Sequence, residues 1–149
     1  MKPTIAFKRF ARLVGDWELR GRTLNSKYDN VSGRVKIEML PGGFLMAQHG
    51  EIKVKRLKLS SLEIVRYDPS TRTFPAYVFS DRGGTPLNYC WDIRGKIVKH
   101  WTKGWKYTGK FSKDGNVLSG GWRPEEGKSE SAYDATMIRK KGSVRRKNP

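Results

Sequence analysis

The stretch Leu13-Val14-Gly15-Asp16-Trp17-Glu18-Leu19-Arg20-Gly21 decides the fold of this chain, because the sequence pattern changes within it. From Trp17 onwards, apolar or small side chains alternate with charged ones such as Glu18 and Arg20. A period of two residues is typical of a β-strand with one buried and one solvated face. We therefore predict a strand from Asp16 to Leu24, the first of a long series.

The residues before Gly15 have helical spacing instead. Apolar and basic side chains between Ile5 and Val14 fall on opposite faces of a helix with about 3.6 residues per turn. Thr4 can cap the start of this helix, and Gly15 can end it. We predict a single short helix here that lies across one end of the folded domain.

Segments with a period of two recur about every ten residues along the rest of the chain, with turn signals such as Pro41-Gly42-Gly43 and Asp114-Gly115 between them. This pattern predicts an all-β fold, an antiparallel up-and-down barrel of about ten strands in one domain over residues 1–139, followed by a basic tail over 140–149. The segment Lys53 to Leu59 fits either an extended loop or an edge strand. The predicted strands after the first are Val31–Leu40, Phe44–Ile52, Leu62–Tyr67, Phe74–Ser80, Leu87–Ile93, Ile97–Thr102, Lys106–Phe111, Val117–Trp122 and Ser131–Arg139.

Cysteine content and the absence of long apolar runs bear on the compartment. Cys90 is the single cysteine of the 149 residues, so an internal disulfide is impossible and a reducing environment is favoured. We expect no signal peptide from the N-terminal residues, and no apolar stretch of the sequence is long enough to span a membrane. We expect a cytoplasmic protein.

Several motifs occur in an order that resembles a known family: Leu13–Glu18, Leu40–Phe44, Glu63–Pro69, and Tyr107–Gly109 through Asp114–Asn116. The chain resembles small prokaryotic proteins with a calycin-like barrel, labelled as a domain of unknown function. Relatives by fold include the lipocalins, the fatty-acid-binding proteins and the haem-binding nitrobindins. The resemblance implies a lipocalin-like barrel with an internal ligand cavity, although a fold does not determine a function. The nitrobindin-like relatives carry an axial histidine near the C-terminus, and the last strands of this chain have none, so we expect no haem, no other cofactor and no metal.

Large aromatic side chains are concentrated on the C-terminal strands and suggest a ligand pocket. We predict that Tyr89, Trp91, Trp101 and Tyr107 line the barrel lumen, with Gln48 or His49 as a polar anchor. The predicted function is non-catalytic binding of a small, mainly apolar molecule. Glycines at positions 109, 120 and 121 remove volume from the same wall. The alternative is that the aromatic side chains only fill the core and the glycines only bend the sheet.

Other residues have simpler interpretations. Trp17 should close the bottom of the barrel under Arg139, by stacking or through a cation–π contact. Cys90 fits a small buried apolar residue, and Asp134 either faces water or anchors a ligand or a basic group. His49 and His100 are the two histidines, and each can point inwards or outwards. No acid and base stand at a spacing that predicts an enzyme.

The net charge of +17 suggests a second possible function, the binding of an anionic partner. Nucleic acid or an anionic surface could bind the basic exterior and the C-terminal tail. The stretch Trp101-Thr102-Lys103-Gly104-Trp105-Lys106-Tyr107 has the mixture of aromatic and basic residues that such binding uses. The alternative is a solvated basic shell, since the charges are spread along many strands.

Overall fold

Ten antiparallel strands close into a barrel in the computed structural model, which describes residues 5–142. Each strand pairs with its neighbours in sequence, and β1 closes the cylinder by pairing with β10, so the predicted up-and-down barrel is confirmed. The strands are β1 (Gly15–Thr23), β2 (Val31–Met39), β3 (Met46–Val54), β4 (Leu57–Val65), β5 (Phe74–Ser80), β6 (Leu87–Arg94), β7 (Ile97–Thr102), β8 (Trp105–Phe111), β9 (Val117–Pro124) and β10 (Tyr133–Arg139).

The helical segment before β1 is shorter than the sequence predicts. An α-helix, α1, covers Ala6–Phe10 and continues as one 3₁₀ turn over Ala11–Leu13, while Gly15 already belongs to β1. Its start at Ile5 has no side-chain cap, and Thr4 lies outside the described residues. Ile5, predicted on the apolar face, is 80% exposed.

This helical segment nevertheless closes one end of the barrel, as predicted. Phe10 is fully buried, with its ring centroid 5.2 Å from both Phe74 of β5 and Trp91 of β6. On the same side of the molecule, the guanidinium of Arg12 lies 4.6 Å from the centroid of the Phe111 ring. Within residues 5–142, no helix is long and apolar enough to cross a membrane.

The segment Lys53 to Leu59 is neither a loop nor an edge strand. Lys53 and Val54 are the last two residues of β3, Leu59 lies in β4, and the two strands join through a tight turn at Lys55 and Arg56. Lys55 takes the left-handed conformation at φ 56°, where glycine is the usual residue. Because no Gly or Asn marks this turn, the sequence conceals a hairpin, and ring closure leaves no edge for a separate strand.

Burial differs between the two ends of the lumen. At the helical end, the inward side chains of Val65, Phe74 and Ile93 are completely buried. At the other end, Leu57 and Leu87 continue the inward alternation of β4 and β6 but are 47% and 54% exposed. On the side of β1 and β2, however, Thr23 and Val31 at this second end are 0% and 2% exposed. The lumen is therefore sealed at the helical end and exposed at the opposite end only beside β4 and β6. Of the predicted basic tail, residues 143–149 lie outside the described residues.

Candidate functional site

A buried carboxylate lies in the middle of the lumen. Glu63 occupies an inward position of β4 and is 2% exposed. Its Oε2 accepts hydrogen bonds from Trp91 Nε1 at 2.9 Å and pairs with His100 Nε2 at 2.9 Å, and its Oε1 accepts one from Gln48 Nε2 at 3.2 Å. These partners come from three other strands. A buried charge is tolerated only when it is paired and hydrogen-bonded in this way.

The imidazole of His100 is held in one orientation. Its ring stacks on Trp91 with a centroid distance of 3.6 Å and an angle of 13° between the planes. Its Nε2 lies against Glu63 Oε2, and the other two partners of this carboxylate, Trp91 Nε1 and Gln48 Nε2, are both N–H donors. Among residues 5–142, Nδ1 makes no hydrogen bond. The side chain is 8% exposed.

Aromatic rings surround the free edge of this histidine. Tyr89 and Trp122 each lie with ring centroids 5.1 Å from His100, and Tyr107 lies 5.6 Å from Trp122. Tyr89 and Trp122 are only half-buried, since they stand towards the open end. The lumen near His100 is therefore bounded by flat apolar faces.

Three tyrosines lie near this part of the lumen, Tyr89, Tyr107 and Tyr133, and the hydroxyl of Tyr107 lies against Gly109 and Gly120. Burial, with a smaller effect of Tyr89, raises the pKa of Tyr133 to about 12. Burial first and the nearby Glu63 carboxylate second raise the pKa of Tyr89, and burial raises that of Tyr107 strongly. Within the described part of the chain these hydroxyls have no hydrogen-bond partner, and the only sealed, unpaired side-chain atom there is Asp92 Oδ1. The tyrosine hydroxyls are thus not closed off from the lumen.

Four of the six predicted pocket residues point into the lumen: Tyr89, Trp91, Tyr107 and Gln48. The predictions for Trp101 and His49 are wrong. On β7 the buried side chains are Val98 and His100, so Trp101 alternates onto the outer face. His49 is exposed on the outside of β3 and forms an ion pair with Glu38 at 3.2 Å. Of the two proposed anchors, only Gln48 reaches the lumen.

Gly109 of β8 and Gly120 of β9 leave room for the Tyr107 side chain. A Cβ at Gly109 would lie 2.7 Å from Cζ of Tyr107, and one at Gly120 would lie 2.8 Å from the Tyr107 hydroxyl. The space that these glycines leave is therefore occupied by the Tyr107 ring and is not an empty cavity. Gly121 faces outwards, against the side chains of Arg123 and Asp134.

Glu63 was not among the site residues predicted from the sequence, and for His100 the prediction left open whether the side chain points inwards or outwards. A signal for Glu63 does exist: it is a charged residue at an inward position of β4, between Ser61 and Val65. Tyr133 was also missed. Its place opposite Trp122 in the β9–β10 register follows only from the paired strands.

The outside of β8, β9, β10 and β1 forms an open groove of about 1060 Å³. Arg20, Lys106 and Arg123 contribute positive charge to it. Asp134 faces outwards there and pairs with Arg123 at 2.6 Å. Cys90 is a half-buried free thiol. Among residues 5–142, no group of three or more His, Cys, Asp or Glu side chains is arranged to hold a metal ion.

Comparison with known proteins adds no relative, since neither a protein-family model nor a curated protein matches this chain.

Proposed function

We propose that this protein binds a small, mainly apolar molecule in the open half of its lumen. One observation carries the proposal: among residues 5–142, His100 Nδ1 and the hydroxyls of Tyr89 and Tyr133 have no hydrogen-bond partner and are not sealed from solvent, beside the rings of Tyr89 and Trp122. Because none of these atoms is sealed from solvent, a ligand bearing matching groups can take the place of water at them. Ligand pockets typically combine apolar walls with a few polar groups of this kind.

The chemistry of the lumen selects a class of ligand. The carboxylate of Glu63 is covered by Trp91, His100 and Gln48, so an entering molecule meets the imidazole edge and not the charge. Tyr89 and Trp122 offer ring faces and edges for stacking. We therefore expect a neutral, flat molecule with one oxygen function that can donate to Nδ1 or accept from a phenol.

Binding of 2-naphthol, measured by calorimetry and tryptophan fluorescence, tests this proposal. Trp122→Ala should weaken binding about tenfold or more, equivalent to about 1.4 kcal/mol, because a ring face is lost. Tyr89→Phe removes only a hydroxyl and should weaken it by about 0.5–1.5 kcal/mol.

The matched control is Trp101→Ala, which removes an aromatic side chain from the outer face of the same wall and should leave naphthol binding unchanged. Binding no tighter than millimolar by the wild type would refute the proposal. An equal loss with Trp101→Ala and Trp122→Ala would refute it as well.

The outward position of Trp101 favours a second candidate, binding of single-stranded nucleic acid or another polyanion on the exterior. Trp101 is paired with Lys106 across β7 and β8 and shares its face with Lys99. Aromatic side chains beside cations are the usual platform for stacked bases. Trp101→Ala should weaken binding of a labelled oligonucleotide but not of naphthol, so this variant separates the two functions.

A further inference from the structure

The contact between Glu63 and His100 joins an acid and a base that stand 37 residues apart in the sequence. A carboxylate behind one imidazole nitrogen orients the ring and stabilises the positive charge that forms when the other nitrogen takes a proton. Here the other nitrogen, Nδ1, has no hydrogen-bond partner among residues 5–142 and is not sealed off from solvent. The groups in contact with His100 that can titrate are Glu63 of β4 and Tyr89 of β6, while Trp91 and Trp122 supply only rings.

We propose that the lumen also catalyses proton transfer, with His100 as the base that removes a proton from the carbon next to the carbonyl of a small apolar ketone. This inference rests on the proposed function, because the ketone must first occupy the same pocket. Glu63 is a positioning residue, since it acts through His100 and does not touch the substrate. The product class is the enol or the isomer with a shifted double bond.

The reaction balances without any further reagent. The lone pair of Nδ1 takes the proton, the C–H electron pair becomes a carbon–carbon double bond, and the carbonyl π electrons move onto oxygen to form an enolate. The imidazolium is held by the hydrogen bond from Nε2 to Glu63 Oε2. The imidazolium proton exchanges with solvent, and return of a proton from the imidazolium to the original carbon, to oxygen or, in an unsaturated ketone, to the far carbon of the conjugated system restores neutral His100.

The tyrosine hydroxyls are suited to stabilise the enolate oxygen. Hydrogen-bond donors aimed at developing negative charge are among the largest contributions to enzyme catalysis. Burial raises the pKa of Tyr89 and Tyr133, so both phenols stay protonated donors throughout the neutral range. Tyr89 is the nearer donor, because its ring contacts the imidazole.

Deuterium exchange of 2-tetralone in D₂O, followed at C1 by NMR, tests the proposal. The wild type should accelerate exchange over buffer, and His100→Ala should lower the accelerated rate by about 10²–10⁴-fold, as expected for loss of a general base. Added imidazole should restore part of the rate to His100→Ala, which a purely structural role of the side chain would not predict. His49→Ala, at the other histidine on the outer face, is the control and should exchange like the wild type.

Glu63→Gln tests the positioning role. Loss of the carboxylate should lower the exchange rate at saturating 2-tetralone and leave the binding of 2-tetralone unchanged, because Glu63 acts through His100 and does not touch the substrate. An unchanged exchange rate would overturn the role of Glu63.

Binding and catalysis are measured separately, so their failures can be told apart. If 2-tetralone quenches tryptophan fluorescence on binding but exchanges no faster than in buffer, the catalytic inference is overturned and the binding function stands. If the wild type binds neither 2-tetralone nor 2-naphthol, both are overturned. The comparison of wild type with buffer needs no variant, so misfolding of His100→Ala cannot hide the result.

Discussion

Replacement of Trp17 by alanine should open the closed end of the barrel. The side chain is completely buried at the start of β1 and faces Arg139 of β10, whose guanidinium carbon lies 4.2 Å from the indole centroid. The indole N–H donates to the carbonyl of Leu13 at 2.8 Å. Arg139 in turn donates to the carbonyls of Arg12, Val14 and Gly115, so this pair ties the helical segment to the first and last strands.

The cavity that Trp17→Ala leaves determines how much the free energy of unfolding falls. Truncation of a fully buried Trp to Ala costs about 3–5 kcal/mol when the site cannot collapse. The cation–π contact contributes about 0.5–1 kcal/mol of this, and the carbonyl left without a donor about 1–3 kcal/mol. These contributions overlap, and we expect Trp17→Ala to lower the free energy of unfolding by about 4 kcal/mol. For a chain of this length that is a fall in Tm of roughly 8–16 °C.

Urea denaturation followed by circular dichroism measures the loss without depending on the fluorophore that is removed. Trp17→Phe keeps most of the volume and removes the N–H donor, so it should cost clearly less than Trp17→Ala. A double-mutant cycle with Arg139→Met should give a coupling energy of about 0.5–1 kcal/mol. Trp101→Ala, at a half-buried outer position, is the control. A loss below about 1 kcal/mol for Trp17→Ala, or one no larger than for Trp101→Ala, would refute the closure argument.

Three further predictions follow from the same geometry. Gly109→Ala should lower the free energy of unfolding in urea by about 1–3 kcal/mol, because the added Cβ would meet the Tyr107 ring. Adding Tyr107→Leu should relieve most of that loss, and a double variant as unstable as Gly109→Ala would contradict the packing. The pKa of Tyr133 is raised to about 12 from 10.0, so its contribution to stability is complete below pH 10 and disappears as the pH rises through 12. Tyr133→Phe should therefore remove the phenol that ionises last in the absorbance titration at 295 nm. It should also make the free energy of unfolding fall less steeply with rising pH, and an unchanged titration would contradict this. Oligonucleotide affinity should be weak and fall with salt by a log–log slope of about 0.7 per contacted phosphate, while tight, sequence-selective binding at about 0.5 M salt would favour the exterior function over the lumen.

The pattern of neighbouring residues along the chain was sufficient to predict the ten-stranded barrel. The period of two residues and the turn residues predicted each of the ten strands as a separate element, because both signals depend on neighbours in the chain, although β4 begins at Leu57 and not at the predicted Leu62. Only the hairpin at Lys55 and Arg56 was concealed, since its turn lacks the usual residues. The closing pair, Trp17 and Arg139, was also predicted and is confirmed at 4.2 Å. The resemblance to calycin-like proteins stays a prediction.

The lumen could be predicted only in part. Alternation separates two faces of a strand, but it does not say which face turns inwards when both carry apolar side chains. On β6 the inward face was assigned correctly, with Tyr89 and Trp91. On β7 Trp101 was placed inwards and His100 was left undecided, because a large aromatic side chain outweighs a histidine in any pattern based on hydrophobicity.

The sequence by itself therefore determined a barrel, its strands and the residues that close it, because these follow from local periodicity and turn chemistry. Tertiary structure alone decided the candidate site. Glu63 and His100 stand on β4 and β7, which are not adjacent in the sheet, and they meet at 2.9 Å across the lumen only because the sheet closes on itself. A buried carboxylate needs donors from several strands at once, and no property of neighbouring residues in the chain reports where those donors will be.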